Sequence, residues 1–200
     1  VDKTGTLTEG RPRVTAIRVA PGFAEAEVLR LAASLERGSQ HPLAAALVAA
    51  AGERGLALAN AEGFEAPAGK VEGHRLVIGN LRILQEAGIE PGTLADAAEV
   101  LRKEGATAVY VAIDGRAAGA IAIADPIKAT TPAALAALRA DGLHIVMLTG
   151  DNPTTARAVG DKLGITEIEA EVLPQDKSRI VERLRKEGRV VAMAGDGVND

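Results

Sequence analysis

The first residues of the chain place a carboxylate in a setting suited to phosphoryl chemistry. Asp2 stands directly before Lys3-Thr4-Gly5-Thr6, so an acidic side chain at a predicted strand end has small hydroxylated and glycine residues beside it that leave room for a phosphate. A carboxylate attacks a negatively charged phosphoryl group poorly unless a divalent cation and fixed positive groups assist it. The segment therefore predicts a phosphoryl-accepting aspartate whose partners lie elsewhere in the chain.

Two apolar segments, 145–148 and 190–194, each end in a polar motif and are predicted to be strands. Polar residues just beyond the carboxyl ends of buried strands lie where open α/β sheets bind their ligands. Between the two motifs, Lys177 falls in the first turn of a predicted helix, from which an ammonium group reaches a phosphate as a point charge. The polar residues in question are Thr149, Gly150 and Asp151 after the first segment, and Asp196, Asn199 and Asp200 after the second.

Composition limits the classes of protein that the chain can belong to. Its 200 residues are 47% hydrophobic, enough for one large or two small cores. The net charge of -4 gives no basic footprint, which excludes nucleic acid as a partner, and the lack of Cys fits a reducing compartment. The longest apolar runs reach about half of the ~20 residues that a bilayer span needs. Because the chain begins and ends inside motifs, we expect it to be a piece of a longer polypeptide.

The pattern of elements predicts a domain inserted into another. Strands and helices alternate in residues 1–11 and 124–200, as in a parallel-sheet α/β domain, whereas residues 12–123 contain helical patterns and hairpins. Turn signals at Glu72-Gly73 and Asp114-Gly115 predict two of the hairpins. We also expect Thr93 to cap a helix.

Four motifs in order resemble those of a known family: DKTGTLT, TGD, the lysine of PQDK, and GDGVND. Together they resemble the phosphorylation domain of P-type ATPases, which has the haloacid-dehalogenase-like fold. The stretch SLERGSQHPLA resembles the Ser-x-x-His-Pro region of the heavy-metal-transporting branch, and EVLPQDK and MLTGDN look like the copper branch. The resemblance covers nearly the whole chain. It implies a Rossmann-type parallel-sheet phosphorylation domain, residues 1–11 and 124–200, with an inserted α+β nucleotide-binding domain, residues 12–123, whose antiparallel sheet is flanked by helices.

The resemblance also implies roles for the motif residues. Asp2 would attack the γ-phosphate of ATP to give an aspartyl phosphate, with Mg²⁺ as the cofactor. The implied Mg²⁺ ligands are Asp2, Thr4 through its carbonyl group, Asp196 and Asp200. The groups implied to hold the transferring phosphoryl oxygens are Thr149, Gly150 and Lys177, and those implied to surround the phosphate and the Mg²⁺ are Lys3, Thr4, Asp151 and Asn199.

In the insert, the resemblance implies a nucleotide pocket with one departure from the family pattern. Glu36 and His41 match residues that meet the adenine, and Gly79 and Asn80 match a second pair. The family has a Gly-x-Gly loop before the hairpin, but here Gly69 matches the first glycine and no residue matches the second, as though roughly five residues were absent. Either the loop is shortened and nucleotide binding is weaker, or the chain omits residues there.

Two alternatives to an ion pump remain open from the residues. A phosphatase of the same superfamily would carry a second aspartate two positions after the nucleophile, where this chain has Thr4. A nucleotide-sensing module without catalysis is favoured only by the incomplete glycine loop. The pump interpretation implies actuator and transmembrane domains elsewhere in the full-length protein, at the cytoplasmic face of a membrane. We expect His74 and His144 to be structural histidines without a role in ligand binding. The glutamates Glu167, Glu169 and Glu171 are expected to form a solvated edge.

Overall fold

The computed structural model describes residues 1–39, 41–65 and 68–197. It divides into two compact units, one formed by Val1–Arg11 and the chain from Asp125 onward, the other by Pro12–Ala124. The assignment of these units to phosphorylation and nucleotide binding stays a prediction. Within the described residues, every helix is too short or too polar to cross a bilayer.

The inserted unit contains a six-stranded antiparallel sheet with strand order β1-β6-β5-β4-β3-β2. Helices α1 and α2 follow β1, and helices α3 and α4 separate β4 from β5. The bounds are β1 Arg13–Val19, α1 Glu25–Glu36, α2 Pro42–Glu53, β2 Ala61–Glu65, β3 Ala68–Val71, β4 His74–Gly79, α3 Leu81–Glu86, α4 Leu94–Lys103, β5 Thr107–Ile113 and β6 Arg116–Ala124.

Both hairpins predicted from turn signals are confirmed. Glu72 and Gly73 join β3 to β4 with φ of 51° and 85°, and Asp114 and Gly115 join β5 to β6 with φ of 50° and 79°. Two successive positive φ values match the right-handed twist of the strands, and Gly and Asp adopt them at low cost. The predicted cap at Thr93 is wrong: this residue has helical angles and its side chain makes no capping hydrogen bond.

The sheet of the insert is covered on both faces, as its alternating side chains show. Val111 packs in a core with α1 and α2, to which Val28, Leu31 and Leu35 contribute. Its neighbour Tyr110 points to the other face and packs in a core with residues of α3 and α4. Because successive strand residues point to opposite faces, the near-continuous apolar run of β5 is what a strand buried on both sides requires.

The first unit is built around short parallel strands. Its elements are α5 Thr131–Ala140, β7 Val146–Leu148, α6 Pro153–Leu163, β8 Glu167–Glu169 and, after a turn of 3-10 helix, α7 Lys177–Lys186. Strands β7 and β8 are parallel, and Asp2 forms a parallel bridge with Leu148 on the other side of β7. The Asp2 N–H in turn donates to the Ala194 carbonyl at 2.9 Å.

The strand predicted over residues 190–194 is wrong for this structure. The segment has no regular secondary structure, and Val190 and Met193 are exposed. An apolar sequence forms a buried strand only when neighbouring elements cover it. Here it meets the other strand ends through the bond to the Ala194 carbonyl.

Candidate active site

The side chain of Asp2 is buried where three chain segments meet. Asp2 is 3% exposed, and its backbone is fixed between β7 and the segment that ends at Ala194. The Leu148 N–H donates to the Val1 carbonyl at 2.8 Å, which continues the parallel ladder. The segments leading to Thr149 and to Asp196 therefore end beside Asp2, at one edge of the sheet. This is the position of ligand sites in open α/β sheets.

Lys177 supplies a positive charge to this carboxylate. Its Nζ lies 3.1 Å from Asp2 Oδ1, and both side chains are more than nine-tenths buried. Lys177 is the first residue of α7, so the helix start carries the ammonium group to the sheet edge. Burying two charges costs free energy of desolvation, whereas a surface ion pair costs little. The buried pair of Lys177 and Asp2 therefore indicates a role at Asp2 more strongly than a surface pair would.

A second ion pair joins Lys3 to the loop after β7. Lys3 Nζ lies 2.6 Å from Asp151 Oδ2. The Thr149 hydroxyl donates to the same carboxyl oxygen at 3.1 Å and accepts from the Asp151 N–H at 3.1 Å. These bonds fix the hydroxyl of Thr149 and tie it to Lys3. Gly150, between Thr149 and Asp151, is exposed.

Close packing at Gly5 places the motif that contains Asp196 beside the motif that contains Asp2. A Cβ added at Gly5 would lie 2.2 Å from Asp196 Oδ2, so any larger residue would collide with this carboxylate. Gly5 also has φ of 76°, in the left-handed region that glycine adopts freely. The glycine therefore permits a carboxylate oxygen of Asp196 to approach the loop that follows Asp2.

The oxygen groups gathered here fit a magnesium ion. Mg²⁺ takes oxygen ligands and is held in phosphoryl-transfer sites by one or two carboxylates together with substrate phosphates. Asp2 and Asp196 supply two carboxylates, and Thr4 follows Asp2 with an extended backbone. The predicted residues Asn199 and Asp200 lie outside the described part of the chain, and within that part no group of three His, Cys, Asp or Glu side chains is arranged to hold a metal.

In the insert, two of the predicted nucleotide residues serve as helix caps. His41 precedes α2, and its Nδ1 accepts from the Leu43 N–H at 3.2 Å. Asn80 precedes α3, and its Oδ1 accepts from the Ile83 N–H at 3.0 Å. A local structural role thus accounts for both residue types.

The predicted glycines and Glu36 also have identifiable surroundings. A Cβ at Gly79 would lie 2.5 Å from Ile83 Cδ1, so the first turn of α3 requires a glycine there. Gly69 lies within β3, opposite Leu76. Glu36 is the last residue of α1, and a cavity of about 370 Å³ is lined by its neighbours Leu35 and Arg37. Gly79 and Asn80 are not among the described residues that line this cavity.

Sequence reasoning missed several residues around the loop that follows Asp2. The Asp125 carboxylate accepts hydrogen bonds from the Thr8 hydroxyl and from the Gly10 N–H, and the Lys128 ammonium group donates to the Gly5 carbonyl. These partners are more than 110 positions apart in the chain. Local spacing gave no signal for them.

Glu167 and Glu169, predicted to belong to a solvated edge, are partly exposed residues of β8 that form ion pairs. Glu167 lies 2.6 Å from His144 Nε2 and 3.1 Å from Arg189, and Glu169 pairs with Arg183. The hydrogen bond from His144 and, to a lesser extent, the one from Arg189 hold the pKa of Glu167 below its usual value. Acidic residues of β8 thus face basic residues at and beyond the end of α7.

Comparison with known families agrees with this fold. A family model described as haloacid dehalogenase-like hydrolase matches residues 1–200. The chain therefore belongs to the haloacid dehalogenase-like hydrolase family.

Curated relatives narrow the class to P-type ATPases of the heavy-metal type, which confirms the resemblance predicted from the motifs. The chain is 55% identical over 205 residues to a silver exporting P-type ATPase of Salmonella typhimurium, covering 100% of the chain and 25% of the relative. It is 51% identical over 205 residues to a copper-exporting P-type ATPase of Legionella pneumophila subsp. pneumophila, covering 100% of the chain and 28% of the relative. The chain thus spans about a quarter of the length of these relatives.

Solved structures give the same result. A zinc-transporting PIB-type ATPase in the E2.Pi state matches with a TM-score of 0.73 and 40% identity, over 100% of this chain and 33% of that one. The catalytic CPx-ATPase domain CopB-B matches with a TM-score of 0.71 and 30% identity, over 100% of this chain and 70% of that one.

The alignments also bear on the glycine loop. Both curated relatives align over 205 residues, whereas this chain has 200, a difference of five. A shortened loop near Gly69 stays a prediction. In the structure, Glu65 at the end of β2 pairs with Ala68 at the start of β3.

Proposed function

We propose that the chain is the ATP-binding and phosphorylation unit of a P-type ATPase that exports a heavy metal, with Cu⁺ as the ion. Asp2 accepts the γ-phosphate of ATP and forms an aspartyl phosphate. The observation that carries this proposal is the burial of Asp2 against Lys177 where three chain segments meet at the edge of the sheet. The names of the relatives, which are silver and copper exporters, support the choice of ion.

In the proposed reaction an oxygen of Asp2 forms a bond to the γ-phosphorus while the bond from that phosphorus to the bridging oxygen of ADP breaks, so ADP is the leaving group. Lys177 holds the attacking carboxylate in place before transfer, and it neutralises charge on the phosphoryl oxygens after transfer. In this reaction the Thr149 hydroxyl, which donates to Asp151 in the structure, turns its proton to one of these oxygens. When bound, Mg²⁺ neutralises phosphate charge, and Asp2, the Thr4 carbonyl, Asp196 and Asp200 would hold it.

Thr4 accounts for the persistence of the intermediate. A phosphatase needs a carboxyl group at this position to protonate the leaving group and to activate water. Threonine can do neither, so the acyl phosphate should outlast the departure of ADP. A long-lived intermediate suits a pump, in which a conformational step precedes hydrolysis, and it disfavours the phosphatase alternative.

Nucleotide binding is proposed for the insert, with Glu36, His41, Gly69, Gly79 and Asn80 as candidate contacts. The caps made by His41 and Asn80 leave the residues rigid, which reduces the entropy lost when a ligand binds. If the glycine loop near Gly69 is shortened, nucleotide binding is weaker than in the family; if the chain omits residues there, it is not. The remaining machinery, an actuator and a membrane domain placing this unit at the cytoplasmic face, is proposed from the length of the relatives.

Incubation with γ-labelled ATP and Mg²⁺, quenched in acid, tests this proposal. We expect label to be retained on the wild-type chain and lost in the Asp2→Asn variant. Binding of nucleotide without any labelling would instead support a sensing module. The exposed acidic residue Asp96 of α4 offers a matched control, because Asp96→Asn should label as the wild type does.

A further inference from the structure

The loop that carries the nucleophile is held by one buried hydroxyl group. Thr8 is completely buried, and its Oγ1 accepts from the Gly5 N–H at 3.3 Å. The same oxygen lies 3.0 Å from the Lys3 carbonyl and 2.5 Å from Asp125 Oδ2. A hydroxyl has one proton, and the ionised acceptor at the shorter distance takes it. Because the Thr8 hydroxyl proton points towards Asp125, a lone pair of Thr8 Oγ1 is oriented to accept the Gly5 N–H.

The Asp125 carboxylate also binds the chain beyond this loop. Its Oδ2 accepts from the Gly10 N–H at 3.1 Å, and its Oδ1 accepts from the Arg11 N–H at 3.0 Å. Arg11 is the last residue before the insert and Asp125 is the first residue after it. One side chain thus joins both points at which the chain passes between the two units.

Further bonds hold the segment after Asp125 to the nucleophile loop. The Lys128 N–H donates to the Leu7 carbonyl at 3.1 Å, and the Thr131 hydroxyl donates to the same carbonyl at 2.8 Å. The Lys128 ammonium group donates to the Gly5 carbonyl. Both backbone polar groups of Gly5 are therefore held by side chains, Thr8 on its N–H and Lys128 on its carbonyl.

This loop depends on such support because it is not a regular helix. Thr4 and Gly5 have non-helical angles, so the regular backbone hydrogen bonds of a helix are not available to fix them. An irregular loop keeps one geometry only when surrounding groups over-determine it. Asp2 directly precedes this loop, so the orientation of its carboxylate depends on these holds.

We infer that Thr8 and Asp125 are positioning residues for phosphoryl transfer, acting through the backbone of the nucleophile loop rather than by touching the phosphate. This inference rests on the proposed function. Asp125 also connects the loop to the two points at which the chain enters and leaves the insert. Misplacement of a nucleophile by a fraction of an ångström slows transfer while leaving substrate binding intact.

The test compares Thr8→Val with Thr8→Ser and Thr15→Val. Valine keeps the shape of threonine without the hydroxyl, serine keeps the hydroxyl, and Thr15 is an exposed threonine of β1. We expect Thr8→Val to lower the rate of Asp2 labelling by roughly tenfold or more at saturating ATP, as loss of a hydrogen bond to a charged group would, with the ATP affinity unchanged. Thr8→Ser should recover most of the rate, and Thr15→Val should match the wild type.

Amide hydrogen exchange gives a readout that does not depend on activity. The Gly5 N–H should exchange faster in Thr8→Val and in Asp125→Asn than in the wild type. Labelling of Thr8→Val at the wild-type rate, or an unchanged Gly5 exchange rate in both variants, would overturn the inference. A wild-type chain that never labels would count against the proposed function instead, and the exchange of Gly5 would still decide the role of the Thr8 hydroxyl. If Thr8→Val does not fold, Asp125→Asn carries both measurements.

Discussion

Replacing the buried Lys177 by methionine should destabilise the site around Asp2. The same replacement of an exposed lysine should have a much smaller effect. Methionine keeps most of the length and apolar surface of the lysine stem but has no charge. In the wild type, Lys177 Nζ lies 3.1 Å from Asp2 Oδ1 with both side chains buried. The variant would leave the Asp2 carboxylate buried without this partner.

The size of the effect follows from the distance and the burial. At 3.1 Å and an effective dielectric constant of ~20, the attraction between two unit charges is about 5 kcal/mol. Part of it offsets the desolvation of both ions, but removal of one partner leaves the other charge desolvated and uncompensated. We therefore expect a loss of about 3 kcal/mol in the free energy of local opening, near the lower end found for broken buried pairs.

Amide hydrogen exchange measured by NMR reports this loss in the first unit alone. The N–H groups of Asp2 and Leu148 are hydrogen-bonded across the strand ends and exchange when these open. A loss of about 3 kcal/mol makes their exchange roughly 100-fold faster. The amides of β5 and β6, in the other unit, should be unaffected. A thermal or denaturant unfolding curve would combine the two units and would not show in which of them stability is lost.

Lys186→Met provides the matched control, since Lys186 is an exposed residue of the same helix. It should change exchange at Asp2 and Leu148 by less than twofold, as expected for a surface charge. Equal effects of Lys177→Met and Lys186→Met would refute the reasoning, because the buried pair would then contribute nothing that a solvated lysine does not.

Three further predictions concern single contacts. Thr4→Asp should speed the loss of label from the phosphorylated chain by about 100-fold or more through acid–base catalysis, and an unchanged decay rate would disprove the role given to the missing carboxyl group. The hydrogen bond to Asp114 raises the pKa of His74 above 6.5. The stabilisation that the pair gives the insert is therefore complete below about pH 6.5 and is lost as the pH rises through the raised pKa. In an NMR titration of Asp114→Asn, the pKa of His74 should return towards 6.5. Gly79→Ala should lower the free energy of unfolding of the insert by about 1–3 kcal/mol, because the new Cβ collides with Ile83 Cδ1. Ile83→Val removes that atom, so in thermal unfolding this second change should destabilise the Gly79→Ala variant less than it destabilises the wild type.

The sequence predicted the parts of the fold that depend on local patterns. The turns at Glu72-Gly73 and Asp114-Gly115 have positive φ at both residues, which Gly adopts freely and Asp more readily than most residues. Helix α1 was predicted from the spacing of Val28, Leu31 and Leu35, which are all buried. In such segments local preference and tertiary burial agree, so the pattern alone is sufficient.

Elements whose formation depends on distant partners were missed or wrong. The apolar sequence 190–194 predicted a strand, but its side chains are exposed and it is irregular. Conversely, β8 alternates Glu with Ile and was not predicted as a strand, although it pairs with β7 and its glutamates form ion pairs with basic residues near the end of α7. In both cases the covering or pairing segment decides the outcome, and no local pattern reveals that segment.

The same distinction holds for the site. Asp2, Thr149, Lys177 and Asp196 stand in recognisable motifs, and the structure brings them to one edge of the sheet. Asp125 stands in no motif from which a contact with Thr8 could be predicted, because that hydrogen bond joins residues 117 positions apart. A residue that supports a loop from a distance can be found only from coordinates.

Chemical identification of the modified residue tests the central claim most directly. After incubation with Mg²⁺ and ATP, borohydride reduces an aspartyl phosphate to homoserine, and mass spectrometry of the N-terminal peptide locates the change. The account predicts homoserine at position 2 in the wild-type chain and an unmodified peptide in Asp2→Asn. Conversion at a different carboxylate, or phosphate bound to a hydroxyl group and resistant to borohydride, would contradict it.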